Sequence, residues 1–296
     1  MKIGMIGLDS SHAVEFTRIL HDASYDYYLG GAKIAAATPF YSTDLPLSYT
    51  RVQGFTDKIR AYEGIQLKDN VQRVAEKCDA ILLTSVDGRN RVDVFQQLAP
   101  LKKPVFIDKP LALSVGEADE IFDLSEKFGT PIMSTSSLRY DAALTTALQN
   151  VKEDVNGLYV HGPLPLQEKM PGYFWYGIHM VEVLVTVLGT ECKQVYVDKS
   201  SEYDIAVVQM MDGRFCTIKG DREWHQRFGA MIHTSNNTIP VEIGKGSKPY
   251  YVSLLENILQ FFSSGISPIH KEEMLAVIRI LEAINKSREY GYMVEL

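Results

Sequence analysis

Length, composition and charge restrict what this chain can be. It has 296 residues, 46% of them hydrophobic and 23% charged, an ordinary globular mixture that is sufficient for two domains with separate cores. The net charge of −7 is scattered, without a basic block or a polybasic amphipathic helix, and no apolar run reaches the roughly 18 residues of a membrane span. We therefore expect binding neither to nucleic acid nor to membranes.

The cysteine pattern and the first residues bear on the cellular compartment. Cys78, Cys192 and Cys216 are far apart, odd in number and without a CxxC pair, which is typical of a reducing compartment. The apolar start of the chain is interrupted at Asp9, too early for the apolar region of a signal peptide. We therefore expect a cytoplasmic protein.

Apolar strands and amphipathic helices alternate through the first half of the chain. We predict strands at 2–7, 32–38, 79–85, 104–108 and 131–137. Helices are predicted at 11–22 and from the capping-box pattern Ser114-Val-Gly-Glu117 to Gly129. Such alternation indicates a parallel sheet covered on both faces, here an α/β doubly wound domain of Rossmann type in residues 1–138.

The second half of the chain has a different pattern, with consecutive strands in place of alternating strands and helices. After a helix at 141–150, strands are predicted at 158–164, 194–200, 204–210, 214–220, 229–235 and 238–244. Two final helices are predicted, one from the capping box Ser253-Leu-Leu-Glu256 and one at about 271–288. This order indicates an α+β domain, residues 139–296, with helices on one face of an open, mainly antiparallel sheet.

An open sheet of this kind leaves one face uncovered. Exposed apolar surface on that face is expected to bury against a second copy of the chain. We therefore expect a homodimer or a homotetramer.

The turn between the first strand and the first helix reads Gly7-Leu-Asp9-Ser10-Ser11-His12. A dinucleotide-binding turn usually reads GxGxxG, because the backbone must approach the pyrophosphate and the helix must pack close to the strand. Here only Gly7 matches, while Asp9 and His12 take the other two places. A cofactor site and an ordinary strand–helix turn remain equal alternatives. If the turn is a cofactor site, restoring both glycines is expected to tighten binding.

The end of the second strand does not select a cofactor. An NAD-binding fold often places an acidic residue here to hold the ribose hydroxyls. This chain has Thr38 followed by Pro39 and Phe40, with neither an acid nor an arginine. NAD and NADP therefore both remain open.

A charged pair follows the strand at 104–108. Asp108 and Lys109 stand at its carboxyl end, where open α/β sheets bind ligands, and Pro110 fixes the backbone after them. A lysine held there can move a proton to or from a substrate oxygen if its pKa is lowered. A surface charge without chemistry is the alternative.

These elements resemble a known enzyme family. The segments DAILLTSVDGRNR, KKPVFIDKPLALS and GTPIMSTSSLRY, in residues 79–140, are similar to the Gfo/Idh/MocA family, named after glucose–fructose oxidoreductase, inositol dehydrogenase and rhizopine catabolism. The domain order and the ending YGYMVEL extend the resemblance over essentially the whole chain. Asp108 stands where the family usually has glutamate, and Val86-Asp87 stands where it usually has Pro-Asn.

The resemblance implies a nicotinamide cofactor, NAD or NADP. It implies that Lys109 lies at both the nicotinamide and the substrate. The residues expected at the cofactor are Gly7, Asp9, Ser10, Ser11, His12, Thr38, Thr84, Ser85, Asp87, Asp108 and Lys109. Binding is expected to be weak, because the glycine pattern of the turn is incomplete.

A second motif reads Trp175-Tyr-Gly-Ile-His179-Met-Val-Glu182. On a helix, Trp175, His179 and Glu182 share a polar stripe, and Glu182 can support a protonated imidazole at His179. By spacing alone, a half-buried pair without chemistry is favoured.

The family resemblance reverses that preference. Many members carry Gly-x-His-x-x-Asp at this place, so Lys109, His179 and Glu182 are the expected catalytic residues. Trp175 stands where many family dehydrogenases have aspartate, so the usual Lys–Asp–His set is incomplete. The residues expected at the substrate are Lys109, Arg139, Tyr140, Trp175 and His179. The ends of the Lys109 and His179 side chains are expected within about 10 Å of each other, in reach of one substrate.

Three functions fit this sequence. The leading hypothesis is an NAD(P)-dependent oxidoreductase that transfers hydride between the nicotinamide and a sugar, polyol or related hydroxy compound. An NAD-assisted lyase or glycosidase is related to it, and a non-catalytic ligand-binding or regulatory protein that kept the fold is the separate class. The aromatic run 173–176 fits sugar stacking and core packing equally well, and we expect no metal site.

Overall fold

The structure is a computed structural model that describes residues 1–151 and 153–296. The chain divides into two compact units. The first unit contains Met1–Ala112, Gly116–Ser134 and Tyr251–Ile269. The second contains Leu113–Val115, the described part of Thr135–Tyr250, and His270–Leu296.

Six parallel strands form the sheet of the first unit. They are β1 (Lys2–Ile6), β2 (Lys33–Thr38), β3 (Gln66–Leu67), β4 (Ala80–Leu83), β5 (Val105–Ile107) and β6 (Ile132–Met133). Their order is β3-β2-β1-β4-β5-β6, which reverses direction between β1 and β4. This is the order of a doubly wound nucleotide-binding sheet, whose ligands bind at the carboxyl ends beside that reversal. The predicted fold class is confirmed.

Helices cover this sheet because each has an apolar stripe that needs burial. They are α1 (Ser11–His21), α2 (Pro46–Tyr49), α3 (Val52–Arg60), α4 (Val71–Ala75), α5 (Arg91–Leu98), α6 (Val115–Phe128) and, later in the chain, α9 (Tyr250–Ser264). In α1, Phe16, Ile19 and Leu20 are fully buried. The strands beneath them are almost continuously apolar, as expected for a sheet covered on both faces.

The second unit contains a seven-stranded mixed sheet. Its strands are β7 (Val155–Pro163), β8 (Cys192–Lys199), β9 (Tyr203–Met210), β10 (Phe215–Asp221), β11 (Phe228–Thr234), β12 (Thr238–Ile243) and β13 (Val294–Glu295). Their order is β12-β11-β7-β10-β9-β8-β13, with every pair antiparallel except β7 and β10. Burial alternates along β9 and β10, so one face is buried and the other is exposed or half-buried.

Among its described residues, this unit has three α-helices. They are α7 (Ala142–Asn150), α8 (Gly177–Leu188) and α10 (Lys271–Tyr290). Helices α8 and α10 pack against each other and on strands β7 and β8. Among the residues that the structure describes, no helix has both the length and the apolar character needed to cross a bilayer.

Several predicted elements differ from those observed. Helix α9 begins at Tyr250, so Ser253 lies inside it and caps nothing. Strand β6 spans two residues, since Ser136 caps a 3-10 turn at Ser137–Tyr140 directly afterwards. The parallel pairing of β7 with β10 arises because the segment carrying α8 separates β7 from the strands that follow.

Candidate functional site

The turn after β1 requires glycine at its first place. Gly7 has a φ of +90°, and a Cβ there would lie 2.3 Å from the backbone nitrogen of Ser85. Thr84 Oγ1 donates to the Gly7 carbonyl at 2.7 Å, and the Gly7 amide donates to the Thr38 carbonyl. The ends of β1, β2 and β4 are therefore joined at this glycine, which only a residue without a side chain permits.

The Asp9 carboxylate is directed into the fold. It is fully buried and accepts hydrogen bonds from Ser48 Oγ at 2.6 Å and from the Val86 amide at 3.0 Å. Burial raises the pKa of Asp9, and these hydrogen bonds oppose the rise only in part. Asp9 thus joins α2 to the segment after β4.

The other unusual turn residue, His12, is paired with Asp108. Its Nδ1 lies 2.6 Å from Asp108 Oδ2, and both side chains are buried. The imidazole also meets the ring of Tyr251 edge-on, at 4.9 Å between centroids. Burial alone would raise the pKa of Asp108, but the charge and hydrogen bond of His12 outweigh it and lower that pKa.

Helix α1 begins at the cap that this turn supplies. Ser10 accepts a hydrogen bond from the His12 amide through its side chain, and Ser11 is the first residue of the helix. Main-chain amides at the start of a helix are suited to anions. The turn therefore still presents the main-chain amides of the α1 N-terminus, although Asp9 and His12 occupy two of the three positions that are glycine in the GxGxxG pattern.

Lys109 is a buried cation with a strongly shifted pKa. It follows β5 and precedes the cis Lys109–Pro110 peptide bond, and its side chain is 7% exposed. Burial lowers the pKa of Lys109 to about 8; Asp108 opposes this, whereas Arg91 and Arg51 add to it. Near neutral pH the ammonium can therefore exchange its proton at small cost.

Arg91 is a second buried cation, which no sequence motif indicated. Its guanidinium donates to Ser85 Oγ at 2.7 Å, to the Ser85 carbonyl at 2.6 Å and to the carbonyls of Asp108 and Pro110. It fastens the segment after β4 to the segment that carries Lys109. The residue lies in the 79–140 region of resemblance, but nothing in its local spacing indicates these contacts.

A polar cleft of about 390 Å³ lies beyond the end of β2. Ser42 donates to Asp87, and Arg89 donates both to Asp87, at 2.6 Å, and to Asp44, at 2.8 Å. Asn90 donates to Ser42 Oγ. Two carboxylates and one guanidinium thus stand at the place where the sequence alone showed no acid.

In the second unit, α8 begins at Gly177, after Tyr176, whose backbone is not helical. Only glycine fits at this first position, because a Cβ there would lie 2.4 Å from Tyr173 Cδ1. Trp175 precedes the helix and does not share its stripe, so the predicted stripe was wrong at that residue. His179 and Glu182 are both on the helix and both buried.

The polar partners of these two residues come from the segment after β6. His179 Nδ1 lies 2.7 Å from Ser136 Oγ, which also accepts the Leu138 amide. Glu182 accepts hydrogen bonds from Thr135 Oγ1 and, at 2.8 Å, from Arg139 Nε. Arg139 also pairs with Glu273 on α10 at 2.6 Å. Glu182 is thus held by Thr135 and Arg139, rather than by the imidazole that the spacing suggested.

Arg139 and Tyr140 each keep a buried polar atom. Arg139 Nη2 and the Tyr140 hydroxyl have no hydrogen-bond partner. Burial raises the pKa of Tyr140. An unsatisfied buried donor costs free energy unless a ligand or water completes it.

Aromatic side chains surround His179 within the second unit. The Tyr176 ring lies 5.4 Å from the imidazole and 4.8 Å from the indole of Trp224, and the Phe228 ring lies 5.7 Å from the imidazole. Tyr173 and Phe174 are fully buried core residues. Of the run 173–176, these two are therefore core, while Tyr176 borders His179.

Ion binding has little support in this part of the molecule. Asp221 and His225 pair directly at 3.2 Å. Within 1–151 and 153–296, no group of three or more His, Cys, Asp or Glu side chains is arranged to hold a metal ion.

A family model matches the first part of the chain. Residues 1–136 match the model of an oxidoreductase family with an NAD-binding Rossmann fold, Gfo/Idh/MocA. This match covers 136 of the 296 residues. The resemblance that the motifs indicated is confirmed over these residues. No curated protein sequence matches the chain significantly.

Solved structures share the fold over the whole length. Scyllo-inositol dehydrogenase from Lactobacillus casei, with NAD(H) and scyllo-inositol, has a TM-score of 0.80 at 14% identity and covers 100% of this chain and 98% of its own. A myo-inositol dehydrogenase from Corynebacterium glutamicum has a TM-score of 0.74 at 14% identity, with coverages of 100% and 98%. An Agrobacterium radiobacter oxidoreductase, with NAD+, L-tartaric acid and magnesium, has a TM-score of 0.75 at 14% identity, with the same coverages.

The site residues expected from the resemblance fall into two groups, one in each unit. Gly7, His12, Asp108 and Lys109 gather at the carboxyl ends of β1 and β5. His179, Glu182 and Arg139 gather at α8. The expected approach of Lys109 to His179 stays a prediction. Sequence reasoning missed the residues that hydrogen-bond to the site segments, namely Ser48, Arg91, Thr135 and Ser136.

Proposed function

We propose that this protein is an NAD-dependent oxidoreductase that transfers hydride between the nicotinamide and a cyclic or open-chain polyol, sugar or related hydroxy compound. The observation that carries the proposal is Lys109. It stands at the carboxyl end of β5 in a Rossmann sheet, with a pKa of about 8. A buried lysine costs stability, so its presence at the ligand-binding edge supports an acid–base role.

The residues of the first turn fit a dinucleotide. Gly7 brings the backbone close, the first amides of α1 suit the pyrophosphate, and Asp9 faces Ser48 and Val86. Thr38, Thr84, Ser85 and Asp87 are proposed to complete the cofactor site. The bound nicotinamide supplies the hydride acceptor or donor.

The cleft beyond β2 supports NAD over NADP. Asp44 and Asp87 contribute two negative charges there, and Arg89 contributes one positive charge that is already shared between them. A 2′-phosphate would enter a site of net negative charge, whereas ribose hydroxyls can donate to these carboxylates. We therefore propose that the charges of this cleft make the protein prefer NAD over NADP.

Proton transfer is assigned to this chain's own residues. In the oxidation direction, the substrate carbon loses hydride while its hydroxyl proton passes to neutral Lys109, leaving a carbonyl. His179, oriented through Nδ1 by Ser136, is proposed to hydrogen-bond the substrate through Nε2. Glu182 is proposed to act by fixing α8 to Arg139, while Arg139, Tyr140 and Trp175 border the substrate.

The substrate class rests on the same residues and on the solved relatives. Two relatives are inositol dehydrogenases, and a third was solved with L-tartaric acid. All of these compounds carry a hydroxyl on a carbon that also carries hydrogen, which suits the proton and hydride transfers proposed here. The substrate is therefore a small hydroxy compound of carbohydrate-like character.

The open face of the second sheet supports self-association. Large apolar side chains stand exposed on it: Tyr196, Tyr203, Phe215 and Met231. Covering such a face by a second copy would remove this surface from water. We propose a homodimer or homotetramer, and sedimentation as a monomer at micromolar concentration would contradict it.

The function is tested with the purified full chain. Calorimetric titration with NADH and NADPH is expected to show binding, tighter for NADH. Nicotinamide reduction is then followed with inositols, glucose, glucitol and tartrate. Binding of neither dinucleotide would remove this proposal and favour a non-catalytic protein. Net elimination or glycoside cleavage without accumulation of reduced cofactor would favour the lyase or glycosidase reaction.

A further inference from the structure

Trp224 is an indole that the fold leaves uncovered. It is 51% exposed, whereas the other tryptophan of the chain, Trp175, is 8% exposed. Leaving a large apolar ring in water forgoes the stabilisation of burial, so a held but uncovered indole suggests a surface awaiting a ligand.

The loop that carries Trp224 is fastened at both ends. Arg222 pairs with the buried Asp204, which Arg288 of α10 also contacts at 2.8 Å. Further along, His225 pairs with Asp221, and the Arg227 amide donates to His225 Nδ1 at 3.1 Å. The indole is thus presented from a braced segment.

The indole is connected to the histidine helix by one ring. Tyr176 meets Trp224 nearly perpendicularly, at 79° and 4.8 Å, and meets His179 at 5.4 Å. All three side chains belong to the second unit. A ligand lying on Trp224 would therefore be connected through Tyr176 to the imidazole that the proposed function assigns to the substrate.

We propose that Trp224, backed by Tyr176, is a recognition platform for ring-shaped polyols, and that it selects them over open-chain polyols. This rests on the proposed function and narrows its substrate class. One face of such a ring presents weakly positive C–H groups, which complement the negative face of an indole. An open chain must freeze several torsions to offer the same flat face, and that ordering opposes binding.

The proposed role of Trp224 could not be predicted from sequence spacing. Trp224 lies 45 residues after His179, in a loop between two strands, and no motif includes it. Its place is set by the pairing of β10 with β7 and by the two ion pairs that brace the loop.

The test measures direct binding to the NADH-loaded full chain. The probes are myo-inositol and glucose as rings, and glucitol as the open chain, titrated by calorimetry against wild type, Trp224→Phe and Trp224→Ala. Tyr290→Ala is the matched control, because Tyr290 is also exposed, at 61%, and is stacked on Tyr292.

Wild type is expected to prefer the rings. Trp224→Ala should lose about three- to tenfold in ring affinity, and Trp224→Phe less, with glucitol almost unchanged. Tyr290→Ala should behave as wild type. Equal ring preference in Trp224→Ala, no ring binding by wild type, or a change in sedimentation caused by Trp224→Ala would overturn the platform. Ring binding without any nicotinamide reduction would instead remove the proposed function and leave the platform standing.

Discussion

The turn at residues 7–12 and helix α8 both depart from their family patterns, but in different ways. In the turn, the unusual side chains form buried hydrogen bonds within the fold. Asp9 accepts from Ser48 and Val86, and His12 pairs with Asp108. At α8, the unusual Trp175 is buried, whereas the ring of Tyr176 lies between His179 and Trp224, which stays exposed.

This difference distinguishes residues that stabilise the fold from residues that recognise a ligand. In the turn, Asp9 and His12 have buried partners at positions where the GxGxxG pattern has glycine, so replacing them with glycine should destabilise the fold. Around His179, the rings of Tyr176 and Phe228 lie against the imidazole, and Tyr176 connects it to the exposed Trp224, so changes there should alter recognition more than stability. Variants of each region can test this division.

The largest expected effect is on stability, in the turn. Removing one partner of the buried His12–Asp108 pair, by His12→Ala or Asp108→Ala, should cost about 3–5 kcal/mol of unfolding free energy, because the other side chain is left buried and unpaired. Arg73→Ala, which breaks an exposed pair with Asp69, is the control and should cost under about 1 kcal/mol. Denaturant unfolding measures the unfolding free energy of each variant. A similar loss in the buried-pair variants and in Arg73→Ala would contradict a structural role for the turn residues.

The same contacts change what restoring the glycines should do. From sequence alone, Asp9→Gly with His12→Gly is expected to tighten dinucleotide binding. The structure adds that these changes also strip Ser48 and Asp108 of buried partners. We therefore expect a lower melting temperature, and calorimetry must be done where both proteins are folded. An undiminished melting temperature would show that the pairs contribute little.

Lys109→Met should separate activity from stability. Turnover should fall about 100-fold or more, the scale of a lost acid–base group, with NADH affinity almost unchanged. Lys68→Met, at a half-buried surface site where the ammonium donates to Gln66, is the control. Full activity in the Lys109→Met protein would end the catalytic assignment.

The stability of the Lys109→Met variant should change with pH in a defined direction. The pKa of Lys109 falls from its ordinary 10.5 to about 8 on folding. The unfolded chain therefore binds more protons between these values, and stability rises with pH across that window. Below pH 8 the folded protein bears the full free-energy cost of burying the protonated Lys109 side chain. Methionine removes it, so the variant should be more stable by on the order of 1–3 kcal/mol at pH 7 and lose that advantage above pH 10.5.

A smaller effect is expected at Ser136. Ser136→Ala removes the hydrogen bond that orients His179 and should lower kcat by about fivefold while KM changes less, since one such bond is worth about 1 kcal/mol. Ser136→Thr should retain part of the rate. A merely structural serine would instead lower the melting temperature without splitting kcat from KM.

The smallest effect is expected in the cleft beyond β2. Asp44→Asn removes one of two carboxylates and should narrow the preference for NADH over NADPH by a few-fold, in a manner that weakens with salt. Asp57→Asn, on the exposed face of α3, is the control. An unchanged preference would place cofactor selection elsewhere.

The parts of the fold that the sequence predicted are those with local causes. Strands β1, β4 and β5 are short apolar runs, and α6 and α8 end at the glycines that stop them, Gly129 and Gly189. The failures also have local causes. Ser253 and Glu256 match a capping box by composition, but α9 already begins at Tyr250.

The site was predicted less completely because its contacts are distant in sequence. His12 and Asp108 were each expected at the cofactor, but their pairing spans 96 residues. Arg91 and Ser136 act through hydrogen bonds that only the folded chain brings about. The spacing also predicted Trp175 on the stripe of α8, because nothing in it indicates that the backbone of Tyr176 is not helical and that α8 begins only at Gly177.

The central claim is that Lys109 takes the hydroxyl proton during hydride transfer. Its most direct test is the pH dependence of single-turnover polyol oxidation by the NAD-loaded wild type, with Lys109→Met in parallel. Protonated Lys109 cannot accept a proton, so the wild-type rate should rise with pH and level off above about 8. The variant should be slow at every pH and lack this rise. A wild-type rate independent of pH between 6 and 10, or the same rise in both proteins, would contradict the account.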